Sequence, residues 1–436
     1  MMNLRLAAAR IIDQVTDGRS LSDCLDAPLS AVKDARDRAW VHALCYGVCR
    51  YYTRLDAVLG HLLQKPMKAK DSDVHALLLT GLYQLMYMRV PDYAAVTETV
   101  NATAQLKKTW ARGLVNAVLR EYLRSRDRIE KTLEADPEAS FAHPQWWIDA
   151  VRQDWPYHWQ SILHANNQHP PFALRVNRRL ISRDKYLEKL ADAGHPAKAI
   201  PETDSGIILE TPVAADELPG FSAGEISVQD GAAQLAAGLL DLAPHLRVLD
   251  ACAAPGGKLT HILEIMPDLA GLSAIEKEPS RLPQITENLN RLNMRADLFC
   301  HDANDVSGWW DGRLFDRVLV DAPCSASGVV RRHPDIKLLR RQSDVGMLAA
   351  EQRRLLASLW QVLKPGGFLV YATCSVFLQE NVFVLRDFMR SHQDAAEDKL
   401  IVDWGLPCEI GRQIIPGMHD MDGFYYARLR KLPSGC

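Results

Sequence analysis

The hydrophobic positions of this chain change their spacing along its length, and each change marks a different kind of structure. From Leu4 to about Arg128, apolar residues recur three and four positions apart, as in Leu78 and Leu82, and no stretch alternates in the manner of a strand. This spacing is typical of amphipathic helices. We therefore predict an all-α domain over residues 1–131.

The middle of the chain, residues 132–240, has a different texture. Prolines punctuate it, and it contains several tryptophans. We interpret the tryptophans as core and interface residues rather than base-stacking platforms, because only Arg152 provides a basic side chain among them. Short alternating or apolar runs separated by turns predict a small α+β domain, with strands at Phe172–Val176, Ile207–Glu210 and Glu225–Val228 and a helix at Asp184–Ala193.

From residue 241 to the end, apolar runs of strand length alternate with helical patterns. Such alternation predicts a parallel sheet covered by helices on both faces, that is, an α/β domain over residues 241–436. A last segment, Gly423–Leu429, alternates as a strand that could be antiparallel. The predicted parallel strands are Arg247–Asp250, Leu272–Glu276, Ala296–Cys300, Asp316–Asp321 and Phe368–Thr373.

Composition and charge narrow the class of protein. A length of 436 residues with 47% hydrophobic content suits two or three globular domains. The net charge is −3, yet residues 1–130 hold 19 Lys and Arg against 14 Asp and Glu, which would suit a surface that meets phosphate. No apolar run reaches membrane-spanning length, and the N-terminal helix carries Asp13, unlike a signal peptide. We expect a cytoplasmic monomer without membrane association.

The cysteines are not arranged for disulfides or metal. There are nine, and their spacing shows no paired pattern. Cys45 and Cys49 are four residues apart in an apolar helical pattern, with no second pair of ligands nearby. We expect reduced thiols and no metal centre.

Two predicted strands end in a cysteine. The strand Asp316–Asp321 is followed by Cys324, and the strand Phe368–Thr373 is followed directly by Cys374. Because ligands bind at the carboxyl ends of parallel strands, a carboxylate and two thiols delivered to that edge indicate a reactive site. The alternative is a buried aspartate with cysteines that pack as small hydrophobic residues.

A second feature of that edge is the small-residue loop Ala253–Lys258, which lies between the first strand and a helix. Small residues allow close approach of a ligand, and the helix N-terminus offers N–H groups. The loop matches neither the dinucleotide nor the triphosphate fingerprint. Glu276, at the end of the second strand of the predicted parallel sheet, could bind ribose hydroxyls. Asp302, just after the third strand of that sheet, could meet an adenine edge. Together these residues predict a nucleoside pocket.

Four motifs carry a resemblance to a known family: D-A-C-A-A-P-G-G-K, D-A-P-C-S, G-V-V-R-R-H-P-D and Y-A-T-C-S. They resemble the RNA 5-methylcytosine methyltransferases that use S-adenosylmethionine. The whole chain is similar to a bacterial branch of the Sun/Fmu type that acts on 16S ribosomal RNA. In that branch the N-terminal domain is similar to the antitermination factor NusB and binds RNA. The resemblance implies a Rossmann-like methyltransferase sheet preceded by a NusB-like and a small α+β domain.

The resemblance also implies roles for individual residues. Cys374 would be the nucleophile, and Cys324 would assist its release. Asp321 would hold the cytosine edge, and Lys258 would orient the base or the cofactor. Glu276 stands where many relatives have aspartate, and His301 precedes Asp302 where glycine is common. The residues implied for cofactor binding are Cys252, Ala253, Ala254, Pro255, Gly256, Gly257, Lys258, Glu276, Asp302 and Asp321.

A basic stretch follows the Asp321 strand, and we expect it to follow the phosphate backbone of the RNA. Three alternatives remain: a DNA cytosine methylase, which would need the Pro-Cys thiol but not the Thr-Cys thiol; an enzyme for another RNA such as tRNA; and an RNA-binding antitermination-type protein with an inactive methylase fold. The residues of the basic stretch are Arg331, Arg332, Lys337, Arg340 and Arg341.

Overall fold

The computed structural model describes residues 3–30 and 32–433. The chain forms two compact units. One contains residues 1–169 together with 330–342, and the other contains residues 170–329 together with 343–436. The second unit carries both the small sheet and the large sheet of the protein.

The first unit is helical, and its described residues contain no strand. The all-α prediction is therefore confirmed. Asn3 begins the first helix by accepting hydrogen bonds from the amides of Arg5 and Leu6 through its Oδ1. The helices up to residue 169 are α1 (Leu4–Thr16), α2 (Leu21–Ser30), α3 (Ala35–Leu62), α4 (Ser72–Tyr87), α5 (Asp92–Ala102), α6 (Ala111–Leu133), α7 (Pro137–Phe141), α8 (Gln145–Asp154) and α9 (Trp159–Asn166).

The helices α7 to α9 pack with the helical unit. The sequence-based division, which assigns residues 132–240 to one middle domain, stays a prediction. Ala139 of α7 is fully buried in the same core as Ile129 and Leu133 of α6. The prolines of this region lie at or near the ends of these short helices.

The second unit begins with a four-stranded antiparallel sheet whose strands lie in the order β2-β3-β1-β4. The predicted small α+β fold is present. The three-residue strand β2 was missed, because an Ala-Lys-Ala edge strand has no alternation to reveal it. The elements are β1 (Phe172–Val176), α10 (Arg183–Asp192), β2 (Ala197–Ala199), β3 (Gly206–Leu209) and β4 (Ile226–Val228).

The large sheet has nine strands. Eight lie in the order β11-β12-β13-β9-β8-β5-β6-β7, and β10 pairs with β13. Strands β5 to β9 are mutually parallel, and β13 runs antiparallel to β9. In chain order the elements are α11 (Gly231–Gly238), β5 (Arg247–Asp250), α12 (Gly257–Ile265), β6 (Gly271–Glu276), α13 (Leu282–Arg291), β7 (Asp297–Cys300), β8 (Phe315–Asp321), α14 (Ile336–Leu339, in the helical unit), α15 (Gln342–Val362), β9 (Leu363–Thr373), α16 (Val382–Ser391), β10 (Ala395–Glu397), β11 (Leu406–Pro407), β12 (Arg412–Ile414) and β13 (Phe424–Lys431).

The central strands of the large sheet are apolar on both faces. In β8, Val318 and Val320 join one core and Leu319 joins the other. A strand buried between two layers of helices needs such a continuous apolar run, which explains why the sequence does not alternate there. Within the described residues, no helix has the combination of length and apolarity that a bilayer crossing requires.

Residues 330–342 follow β8 in the chain but fold with the helical unit. Lys337 lies in α14 and is only 2% exposed. Its ammonium group donates to the carbonyl oxygens of Arg50 (2.6 Å) and Ala142 (2.7 Å) and to the side-chain oxygen of Asn167 (2.8 Å). Burial, and then the nearby Arg50 cation, hold the pKa of Lys337 well below its usual value.

This burial bears on part of the predicted RNA contact. Lys337 and Arg331 are both buried, and the carbonyl of Arg331 accepts from the guanidinium of Arg50 at 2.8 Å. The side chain of Lys337 and the backbone carbonyl of Arg331 form hydrogen bonds within the helical unit, and burial disfavours contact of these two side chains with a phosphate backbone. The other three residues of the basic stretch are half-buried or exposed, and for them the prediction stands untested: Arg332, Arg340 and Arg341.

Candidate active site

Five parallel strands bring the predicted site residues, together with Asp250, to one edge of the large sheet. Asp250 and Glu276 are the last residues of β5 and β6, and Asp321 is the last residue of β8. Asp302 follows β7 by two residues, and Cys374 comes directly after β9. The sequence-based expectation that these groups share the carboxyl edge of one sheet agrees with this arrangement.

The loop between β5 and α12 is shaped by Gly256. It has a φ of +98° and precedes the first residue of α12. A Cβ atom there would lie 3.3 Å from the Cα of Ile285, so both the backbone conformation and the space favour glycine. Helix α13 also holds the loop, because its residue Asn288 donates to the Pro255 carbonyl at 2.9 Å. The first N–H groups of α12 are thus presented at the sheet edge.

Asp250 is a site residue that the sequence-based predictions did not include. It is buried, and its carboxylate receives no side-chain hydrogen bond from the described residues. Burial and then the charge of Asp321 raise the pKa of Asp250 to about 7. A buried acceptor of this kind fits a ligand that brings its own donors. Its position at the end of the first strand was the available signal.

Glu276 and Asp302 lie on the next two strand ends. Glu276 is buried, accepts from the amide of Glu278 at 2.9 Å, and lies 3.5 Å from a guanidinium nitrogen of Arg281. Asp302 is bonded to Lys277 at 2.8 Å and accepts from the amide of Asn304 at 2.9 Å. The hydrogen bond from Lys277 is the main reason why the pKa of Asp302 is lowered. Both carboxylates are therefore held in fixed orientations.

Lys258 and Asp321 form an ion pair at the sheet edge, with 2.6 Å between Nζ and Oδ2. Lys258 also lies over the ring of Phe424, 5.0 Å from its centre. Burial alone would lower the pKa of Lys258, but Asp321 outweighs it, with a smaller contribution from Cys374, and the pKa is raised. Lys258 is therefore a fixed cation between the loop that follows β5 and the end of β8.

The two predicted thiols are neighbours. The Sγ atoms of Cys324 and Cys374 are 3.4 Å apart. Cys324 is buried and Cys374 is half-buried, so Cys374 is the more accessible thiol. The hydrogen bond with Cys374, and then burial, raise the pKa of Cys324 well above its usual value. Cys324 is thus kept as a protonated thiol that can donate to Cys374.

The third predicted thiol, Cys252, lies in the loop between β5 and α12 and is half-buried. Burial, followed by the charge of Asp321, raises its pKa well above the usual value. Its thiol is therefore kept neutral, which disfavours it as a nucleophile.

The two cysteine loops touch through glycine. Gly328 donates its N–H to the Cys374 carbonyl at 2.8 Å, and its own carbonyl accepts from the amide of Gly423 at 2.8 Å. A Cβ on Gly328 would lie 2.1 Å from the Gly423 oxygen. Only glycine permits this approach of three backbones. The G-V-V that follows the D-A-P-C-S motif therefore has a packing role.

The small sheet also supports the cofactor loop, through a residue that the sequence did not single out. Arg175 of β1 is fully buried and forms a two-bond pair with Glu264 of α12, at 2.8 and 2.7 Å. It also donates to the carbonyl of Gly257 at 2.6 Å and to the side chain of Gln229 at 2.5 Å. One side chain thus holds the first turn of α12. An arginine within a predicted strand was the signal.

Comparison with known proteins agrees with this architecture. The sheet order, with an antiparallel β13 beside β9, and the glycine loop after β5 define a Rossmann-like methyltransferase. Residues 237–430 match the family model described as 16S rRNA methyltransferase RsmB/F. Residues 143–216 match the ferredoxin-like domain of the same family, and residues 2–124 match the NusB family.

Individual relatives extend the match to the whole chain. The ribosomal RNA small subunit methyltransferase B of Pseudomonas putida is 50% identical over 434 residues, which cover 99% of each chain. The chain therefore belongs to the RsmB/F family. The crystal structure of PH0851 has the same fold over 99% of both chains, with a TM-score of 0.82 and 22% identity. A methyltransferase homolog protein from Pyrococcus horikoshii, 28% identical, covers 68% of this chain and 98% of its own, with a TM-score of 0.60.

Proposed function

We propose that this protein transfers a methyl group from S-adenosylmethionine to carbon 5 of a cytosine in 16S ribosomal RNA. The observation that carries the proposal is the pair of thiols 3.4 Å apart at the same sheet edge as the Lys258–Asp321 pair. Methyl transfer to carbon 5 needs a nucleophile and a means of releasing it. The names of the relatives support a small-subunit ribosomal RNA substrate.

The residues of the cofactor side fit S-adenosylmethionine. The N-terminal turn of α12 and the loop Cys252–Lys258 would hold its amino-acid portion, and Glu276 would accept from its ribose hydroxyls. Asp302 would lie on the adenine side. When bound, S-adenosylmethionine supplies a methyl group as an electrophile. The acceptor Asp250, buried without a side-chain donor in the described residues, supports a ligand that carries hydrogen-bond donors or a positive charge.

Carbon 5 of cytosine is a poor nucleophile, and this determines what Cys374 must do. Its thiolate adds to carbon 6, forming a sulfur–carbon bond and moving the ring electrons toward carbon 5. Carbon 5 then takes the methyl group. A water molecule then takes the proton from carbon 5, and the electron pair of the broken C–H bond restores the ring double bond and expels the thiolate of Cys374. The half-buried position of Cys374 supports its access to a base.

Cys324 and Asp321 would act at different steps of this reaction. Cys324, which is kept protonated, would donate to the leaving sulfur of Cys374 and so assist release. Asp321 would accept from the amino edge of the cytosine while Lys258 fixes its orientation. The base would have to leave its stack to reach this edge, as in other enzymes that act on bases.

The helical unit would contribute RNA affinity, and we propose residues 1–131 as the RNA-binding domain. Lys108 donates to the Lys70 carbonyl at 2.9 Å and pairs with Asp73 at 2.6 Å, which holds two loops together. Around this junction the side chain of Trp110 is 49% exposed, and several basic side chains are exposed with it. We call this the Trp110 surface; its exposed basic residues are Lys68, Lys70, Lys107 and Arg112. An exposed aromatic ring among cations suits single-stranded RNA.

The rivals differ in how they use the two thiols. A DNA-type methylase would use Cys324 as its nucleophile, but its burial and raised pKa disfavour that role. An inactive fold would have no need to keep two thiols beside an ion pair. Another RNA such as tRNA remains a candidate substrate, and the experiment below separates it from ribosomal RNA.

In the decisive experiment, variants that each lack one cysteine are incubated with cofactor and RNA. Covalent protein–RNA adducts are then detected as shifted bands on a denaturing gel. Cys324→Ala should form the adduct and accumulate it, and Cys374→Ala should form none. Cys408→Ala changes a half-buried thiol in the turn between β11 and β12; it is the matched control and should behave as wild type. Adduct from Cys374→Ala but not from Cys324→Ala would reverse the roles and favour the DNA-type scheme.

The substrate is tested separately. RNA from a strain lacking this protein should have lost one 5-methylcytosine from 16S ribosomal RNA, as mapped by sequencing after bisulfite treatment. Loss from tRNA instead would move the activity to the other substrate. No loss from any RNA would leave only the binding-protein interpretation.

A further inference from the structure

Glu380 is a buried carboxylate that the proposed chemistry does not use. It lies in the short turn between β9 and α16 and is completely buried. Its oxygens accept from the amide of Ser325 at 2.7 Å, from the hydroxyl of Ser325 at 2.5 Å and from the hydroxyl of Ser375 at 2.5 Å. The side chain of Gln352 donates more weakly, at 3.4 Å. A buried carboxylate with this many donors is built into the site.

The two serines that donate to Glu380 are sequence neighbours of the two thiols. Ser325 directly follows Cys324, and Ser375 directly follows Cys374. The hydroxyl of Ser327 lies 3.0 Å from that of Ser375 and accepts from the amide of Val376 at 2.9 Å, which adds a second link between the same two loops. One carboxylate therefore joins the residue next to each thiol, although the two loops are 50 residues apart in sequence.

We propose that Glu380 is a positioning residue that sets the spacing of the Cys324 and Cys374 thiols and makes Cys374 the reactive member of the pair. This inference deepens the proposed function, because it rests on the division of roles between the two cysteines. Glu380 touches neither thiol through a hydrogen bond in the described structure; it acts through Ser325 and Ser375.

The need for a carboxylate follows from the donors. A carboxylate can accept from both serine hydroxyls and the amide at once, whereas a glutamine offers one oxygen and an NH₂ group that must face a donor. The charge has a second effect. Glu380 contributes to the raised pKa of Cys324, while Lys258 is the cation near Cys374. A negative charge behind one thiol and a positive charge beside the other make two neighbouring thiols unequal.

The test uses thiol chemistry in the full-length protein without RNA or cofactor. Iodoacetamide labels each thiol at a rate that depends on its thiolate fraction, and mass spectrometry of the peptides assigns the label. In wild type, Cys374 should be labelled well before Cys324. In Glu380→Gln, which keeps the shape of the side chain, the ratio of the two rates should fall by about tenfold or more, the change that one unit of relative pKa produces. An unchanged ratio would overturn the charge part of the inference.

The spacing is measured by oxidation. Thiols 3.4 Å apart should form a disulfide rapidly with diamide, detected as a loss of two hydrogens from the intact protein. Glu380→Ala, which removes the link between the loops, should slow this reaction by about tenfold or more. An oxidation rate equal to wild type would show that the loops hold their spacing without Glu380 and would refute the positioning role.

Two controls separate this role from a general loss of structure. Glu397→Gln changes a different, half-buried carboxylate of the same unit, which accepts from the Gly411 amide at 2.7 Å, and should leave both thiol readouts unchanged. Binding of S-adenosylhomocysteine, measured by calorimetry, should change by less than about twofold in Glu380→Gln, because that site lies on other strands. If Glu380→Ala does not fold, Glu380→Gln still decides the outcome.

The inference and the proposed function can fail independently. If the thiol ratios change as expected but no RNA is methylated, Glu380 keeps its positioning role and the proposed function falls. If wild type methylates RNA through Cys374 and the thiol readouts of both Glu380 variants equal wild type, the proposed function stands and the role of Glu380 is refuted.

Discussion

Replacing Arg175 by methionine should destabilise the catalytic unit far more than a typical substitution. Arg175 is completely buried, and its partner Glu264 has a side chain only 4% exposed. Methionine resembles the aliphatic stem of arginine but lacks the guanidinium group, so Glu264 would remain buried without its cation. Removing one partner of a buried, hydrogen-bonded pair costs about 3–5 kcal/mol. The lost bonds to Gly257 and Gln229 act in the same direction.

A matched exposed pair lies three residues further along the chain. Arg178 and Asp204 are paired at 3.0 Å with side chains 59% and 88% exposed. Because water screens such a pair, Arg178→Met should cost less than about 1 kcal/mol. The double variant Arg175→Met with Glu264→Met should recover most of the stability, since two apolar side chains of similar volume leave no buried charge unpaired.

The assay is urea unfolding followed by tryptophan fluorescence, with hydrogen exchange to assign the transition to the unit that contains α12. Cofactor affinity is measured on the same variants under conditions in which they are folded. Arg175→Met should weaken binding, because the carbonyl of Gly257 in the first turn of α12 loses a donor. A stability loss in Arg175→Met no larger than that in Arg178→Met would refute the inference that the buried Arg175–Glu264 pair stabilises this unit.

Three further outcomes follow from the site and the helical unit. Glu276→Ala should weaken S-adenosylmethionine binding by about 1–3 kcal/mol in calorimetry, the cost of unpaired ribose hydroxyls; unchanged affinity would remove Glu276 from the site. Asp250 has a folded pKa of about 7 against an ordinary 3.8, so it binds a proton more tightly when folded and lowers stability as pH rises between those values. In the cofactor-free protein, Asp250→Asn should therefore gain stability over wild type on going from about pH 4 to pH 8 in urea titrations, and a constant difference would contradict the assigned shift. Replacing Lys70 and Lys107 by alanine should reduce the slope of log affinity for RNA against log salt by roughly one per lost phosphate contact, while Lys131→Ala should not; equal slopes would exclude the Trp110 surface from RNA binding.

Local patterns were sufficient for most of the secondary structure. The strands Phe172–Val176 and Arg247–Asp250 begin and end where the apolar runs predicted. The strands of the large sheet were found because buried parallel strands need continuous apolar runs between turns. That Cys324 and Cys374 would share one edge also followed, since parallel strands place their carboxyl ends together.

The sequence by itself determined the fold class, the strand ends and the motifs, because these depend on residues close together in the chain. Only the tertiary structure decided the fate of groups whose partners are distant. Lys337 was expected on the RNA, but acceptors 287, 195 and 170 residues away enclose it. A role for Glu380 could be inferred only from the structure, in which serines of two separate loops donate to its carboxylate. Burial of a charge depends on which donors and acceptors the fold brings from distant parts of the chain. The spacing of hydrophobic residues along the sequence does not reveal these partners.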